Sequence, residues 1–180
     1  MSESVIQRTA LPRLSLKARV LAAILGAAAA VALPQLFHLL GAVSGLGTVP
    51  GEVFLPMHLP IILLGLIAGP FAGAAAGLAS PILSFAFTGM PTASMLPFMA
   101  LELCAYGFFA GVLRNVKINT IFKVLITELA GRILRAGAIL ISFYVFGNTA
   151  VSLPVIWNSI LTGLPGLILQ WTLIPLIIFW

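Results

Sequence analysis

Of 180 residues, 61% are hydrophobic and only 7% are charged, with nine Lys and Arg set against four Asp and Glu for a net charge of +5. Soluble domains carry about 25% charged residues, so this chain lacks the polar surface that water requires. A soluble enzyme, a nucleic-acid binder and a disordered chain are excluded, and the single Cys104 excludes a disulfide scaffold or a thiolate metal cluster within one chain.

Three runs carry no charge at all: Val20 to Gly51, Val53 to Leu101 and Ala136 to Trp180. A helical crossing takes about 20 apolar residues, so the middle run alone crosses a bilayer twice. A membrane barrel would show short alternating segments, whereas these runs are continuously apolar. The pattern predicts an all-α membrane protein, a six-transmembrane-helix bundle with both termini cytoplasmic. Residues 1–17 form a cytoplasmic tail and residues 18–180 a single transmembrane domain.

In chain order, the first span is expected at 18–40. Its apolar stretch is longer than the core of a signal peptide, so it is read as a span and not as a cleaved leader. Ala22, Ala23, Gly26, Ala27 and Ala30 give it small-xxx-small spacings that let another helix approach closely, inside this chain or in another subunit. A Gly/Pro-rich loop follows at 41–56. Spans at 55–70 and 71–88 are short and meet at the Gly69-Pro70 turn. Interrupted membrane segments need protein neighbours to satisfy their backbone, so they line interiors or cavities. Thr88-Gly89-Met90-Pro91 opens the next loop, and spans at 95–114, 120–147 and 154–180 complete the set, separated by Asn115–Asn119 and Gly147–Pro154.

Orientation follows from the basic residues. Arg8, Arg13, Lys17 and Arg19 precede the first span, and Arg114, Lys117 and Lys123 lie between the fourth and fifth. The loops at 41–56, 88–95 and 147–154 have neither Lys nor Arg. Seven of the nine basic residues therefore fall on one side, the cytoplasmic one.

Ionisable groups inside a membrane are costly and mark function or pairing. Four stand in the spans: Glu102, Glu128, Arg132 and Arg135. Glu128 and Arg132 are four apart on one helix face, the spacing of an ion pair. Arg135 is left for Glu102, at matching depth in the neighbouring span, or for an anionic ligand. Polar groups gather toward the same outer half, among them Glu52, His58, Thr88, Tyr106, Asn148, Trp157, Asn158 and, deeper, Gln170. Trp157 and Trp180 suit interfacial anchors. From depth and polarity the expected binding set is Glu52, His58, Thr88, Glu102, Tyr106, Arg135 and Asn158. His38 and His58 could supply axial nitrogens to a haem iron. No H-E-x-x-H, G-x-S-x-G or G-x-x-x-x-G-K-[ST] motif is present, so no catalytic residue or metal site is expected, and ATP hydrolysis would require a partner.

Several segments carry a resemblance: Leu55-Pro56-Met57-His58-Leu59-Pro60 with Gly65 and Gly69-Pro70, then Thr88-Gly89-Met90-Pro91, then Glu102-Leu103 with Tyr106-Gly107, and Gly163-Leu164-Pro165-Gly166 with Gln170 and Pro175. Together they resemble the S components of energy-coupling factor (ECF) transporters, in the branch that includes pantothenate, folate and cobalamin carriers. Ala23 and Ala27 match best the family's A-x-x-x-A motif on the first helix. The resemblance implies a non-enzymatic subunit of the prokaryotic plasma membrane with no covalent cofactor. It would capture a vitamin or similar micronutrient from outside, under a lid formed by the first loop. It would dock through its first helices on a scaffold subunit carrying two ATPases and topple to release its substrate inside. The competing readings are a stand-alone secondary transporter or channel, an intramembrane enzyme, a ligand-free assembly subunit, and a haem-binding S component using His38 and His58.

Overall fold

The computed structural model describes residues 14–179. Arg8, Arg13 and Trp180 lie outside the described residues. Eight helices run among those described: α1 (Leu16–Ser44), α2 (Val49–Phe54), α3 (His58–Ala68), α4 (Pro70–Thr88), α5 (Leu96–Leu113), α6 (Thr120–Tyr144), α7 (Val155–Thr162) and α8 (Leu164–Phe179).

Four stretches are long and apolar enough to cross a membrane: α1, α2 with α3, α4 and α5. The pair α7 and α8, bent by 51°, makes a fifth if it counts as one span. Helix α6 has 25 residues but carries Lys123, Glu128, Arg132 and Arg135 along its length.

Local chemistry explains where these helices start and stop. The Ser15 hydroxyl accepts a hydrogen bond from the Ala18 N–H at 3.3 Å and caps α1. Nothing in residues 41–44 stops the helix, which continues past the expected end at 40 until Gly45 turns left-handed at φ 74°. The expected loop at 41–56 is therefore partly helical, because Pro50 favours the first turn of α2. The chain then doubles back so tightly that a Cβ on Gly41 would overlap the Gly47 carbonyl. Gly69, at φ 99°, makes the sharp turn from α3 to α4. The last expected span is broken at Gly163. Pro165 has no N–H and its ring would clash with the carbonyl four residues back, so α7 cannot continue straight into α8.

The core is built on α3, α4 and α5, where glycines replace side chains along a seam. A Cβ on Gly65 or Gly73 would overlap the Gly107 carbonyl, and one on Gly77 would overlap that of Leu103. Backbones can approach this closely only without side chains, the arrangement that gives packing contacts in a bilayer where apolar burial drives no association. Ile61, Ile62, Leu66, Leu103, Tyr106 and Ala110 fill the space around the seam. Helix α1 lies against this core through Ala22, Ala23, Ala27 and Ala30, with Gly26 admitting the Leu64 side chain. Large apolar side chains such as Leu21, Ile24, Leu25, Phe71, Phe87, Phe122 and Ile133 cover the outside, a surface suited to lipid.

The two ends of the bundle differ in charge. Lys17 and Arg19 at the start of α1, Arg114 after α5, and Lys117 and Lys123 at the start of α6 share one end. There the Lys123 ammonium donates to the Arg114 carbonyl at 2.9 Å.

Candidate binding site

A cavity of about 410 Å³ opens at the opposite end, where α1 and α4 finish and α3 and α5 begin. Each wall follows from helical periodicity. Pro34 and His38 are one turn apart on α1. Met95, Met99 and Glu102 rise along one face leading into α5, and Tyr106 continues that stripe below the floor. Helix α7 presents Val155, Asn158, Ser159 and Thr162, at positions i, i+3, i+4 and i+7. Helix α2 covers the mouth with Gly51 and Glu52. Gly51 lets α2 settle on His38, whose Cε1 lies 3.0 Å from where a Cβ would be. Leu55, which joins α2 to α3, is a non-glycine residue held at φ 49°.

The floor is a charged cluster. The Arg135 guanidinium donates to Glu102 Oε2 at 2.8 Å, and the Tyr106 hydroxyl donates to Glu102 Oε1 at 2.9 Å. Both carboxylate oxygens are thus engaged and Glu102 is fully buried. Gly131 on α6 leaves room for the Tyr106 ring, which would collide with any larger residue there. The His58 ring sits 5.2 Å from the Tyr106 ring at 53°. Neither imidazole nitrogen of His58 finds a hydrogen-bond partner of good geometry, the Leu55 carbonyl being a marginal neighbour. Arg135 Nε is also buried without a partner. Buried polar atoms are nearly always satisfied, so these three nitrogens are exceptions at the base of the cavity.

Five of the seven expected site residues line this cavity: Glu52, His58, Glu102, Arg135 and Asn158. Tyr106 lies beneath the floor and acts through Glu102. Thr88 stands apart, its hydroxyl donating to the Ser84 carbonyl at 2.7 Å within its own helix. The expected Glu128–Arg132 pair does not form among the described residues. Glu128 Oε2 instead accepts from the Trp171 indole N–H at 2.6 Å. Gln170 is buried away from the cavity, and Trp157 is exposed. The sequence reading missed Met90, Met95 and Met99, and also Ser159 and Thr162. The i+4 step from Asn158 to Thr162, and the i+3/i+4 steps from Glu102 back to Met99 and Met95, carried the signal for those three but not for Met90 or Ser159.

Apolar helices packed around such a cavity define a multi-pass membrane protein. The family model for the ECF transporter substrate-specific component matches residues 17–178, and the chain belongs to that family. No curated protein and no solved structure matches the chain. Members are transport subunits and not enzymes. Membership implies a small-molecule substrate and docking on an ECF scaffold with its ATPase module.

Proposed function

We propose that this chain captures a vitamin or related micronutrient from outside a prokaryotic plasma membrane and delivers it to an ECF scaffold subunit with two ATPases. The observation that carries this reading is the cavity of about 410 Å³, floored by the Glu102–Arg135 pair and edged by Asn158, Ser159 and Thr162. Direct identification of the small molecule that co-purifies with the chain, by mass spectrometry, tests it. A cavity plugged by Ser159→Trp is expected to release that molecule.

Six crossings with both termini cytoplasmic fit the charge asymmetry, with α6 as the polar crossing and α7 with α8 as the broken one. The expected result of labelling intact cells, in a Cys104→Ala background, is that Thr48→Cys reacts with an impermeant maleimide and Lys117→Cys reacts only after permeabilisation. The reverse pattern would invert the map.

Ala23 and Ala27, the expected docking pair, are half-buried against the chain's own core. Ala27 also borders a shallow groove with Ile24, Ala28, Val31, Leu83 and Phe87, and this groove is the surface offered to the scaffold. Ala28 is exposed, so Ala28→Trp is expected to spare folding and substrate binding while abolishing ATP-driven uptake with partner subunits. Full uptake by this variant would place docking elsewhere.

A second reading has support from one observation. His38 and His58 line the same cavity, which favours a haem-type substrate, and a Soret band in the purified chain would identify it.

A further inference from the structure

The sequence has five methionines including Met1. The other four, Met57, Met90, Met95 and Met99, all line the one cavity. They come from three separate segments: the link before α3, the loop after α4, and the stretch entering α5. Met57 is buried, and Met90, Met95 and Met99 are half-buried. Leucine serves as the ordinary apolar residue through the rest of the chain, and it would have closed this space equally well if packing were the only demand. Thioethers add what leucine lacks: polarizability, and favourable contacts with aromatic rings.

Polar side chains also stand around that wall, with His38 and Glu52 near the mouth. Glu102 and Arg135 neutralise one another, so the floor presents no full net charge. His58 borders the cavity but is 3% exposed, and neither ring nitrogen reaches its surface. Asn158, Ser159 and Thr162 give a hydrogen-bonding stripe on α7. A bare soft metal ion, which thioethers and imidazoles could also hold, does not fit the scale. The cavity is more than ten times the roughly 30 Å³ that one water occupies.

We propose that the substrate carries a flat conjugated ring system, laid against the methionine wall and hydrogen-bonded at its edge by the polar stripe of α7. This rests on the cavity being the substrate site, and it narrows the substrate class to ring-bearing molecules over aliphatic ones.

Binding to the purified full chain tests it, with lumichrome, a pterin and protoporphyrin as flat probes and pantothenate as the aliphatic comparator. At least one flat probe is expected to saturate the chain while pantothenate does not bind. The double variant Met95→Leu, Met99→Leu is expected to weaken that probe about tenfold, with the melting temperature unchanged. Failure of every flat probe, or unchanged affinity in the double variant, would overturn the ring assignment. Tight pantothenate binding would also overturn it but leave the capture role standing. If the co-purifying molecule stays bound in Ser159→Trp, the cavity is not the site and the capture reading fails with it.

Discussion

Arg135→Leu is expected to lower stability by about 3–5 kcal/mol, because it strips a fully buried carboxylate of its counter-charge. Glu102→Leu should cost a comparable amount by leaving the guanidinium alone at the same depth. Replacing a buried ion pair by well-packed apolar side chains is often neutral, so the double variant should recover most of the loss. The remainder is the Tyr106 hydroxyl, which loses its acceptor, and Tyr106→Phe in the same background should restore it. Thermal unfolding in detergent reads all four variants. The second readout is affinity for the co-purifying molecule. A charged hydrogen bond from the floor to the substrate implies a loss of about tenfold or more in the repaired double variant. Unchanged affinity would mean that the pair only ties α5 to α6.

Gly107→Ala should be as damaging, though it adds a single methyl group. Its Cβ would overlap the carbonyl carbon and oxygen of Gly73, and backbone, unlike a side-chain tip, cannot rotate away. Overpacking commonly costs 1–3 kcal/mol, and at a backbone-to-backbone contact the expected loss is about 3 kcal/mol or more. The yield of monodisperse protein and its melting temperature measure it. Gly137→Ala is the control, since nothing lies within 4 Å of a Cβ there. Wild-type melting by Gly107→Ala would mean that α4 and α5 are not held at this distance.

The parts legible in the sequence were those governed by strong single-residue rules. Glu102 and Arg135 are 33 positions apart, yet matched depth in neighbouring spans made Glu102 one of two expected partners for Arg135, beside an anionic ligand, because an isolated charge there is costly. The Gly69-Pro70 turn was legible for a similar reason, since few residues tolerate that backbone. Spacing misled where a third group competed. Glu128 and Arg132 share a helix face, but the Trp171 indole reaches the carboxylate from α8, and no local pattern announces a residue 43 positions away. Thr88 looked available from its depth and polarity, whereas a hydroxyl in an apolar helix bonds its own backbone. The methionine wall was silent because a methionine within an apolar run has the same pattern as any core residue. Only the fold brings Met57, Met90, Met95 and Met99 to one surface.

The glycine seam also sets how the molecule can deform. Where α3, α4 and α5 meet backbone to backbone, no side chain is left to change rotamer, and any relative sliding would drive carbonyls into Cα atoms. The bundle beneath the cavity is therefore mechanically stiff. The rim of the cavity includes α2, six residues long, and α7, in which no residue is buried. Both end at breaks in the helix: the left-handed Leu55 after α2, and the Gly163-to-Pro165 interruption after α7. Those breaks are the points about which α2 and α7 can pivot, while the glycine-locked helices below keep their spacing and serve as the frame of reference.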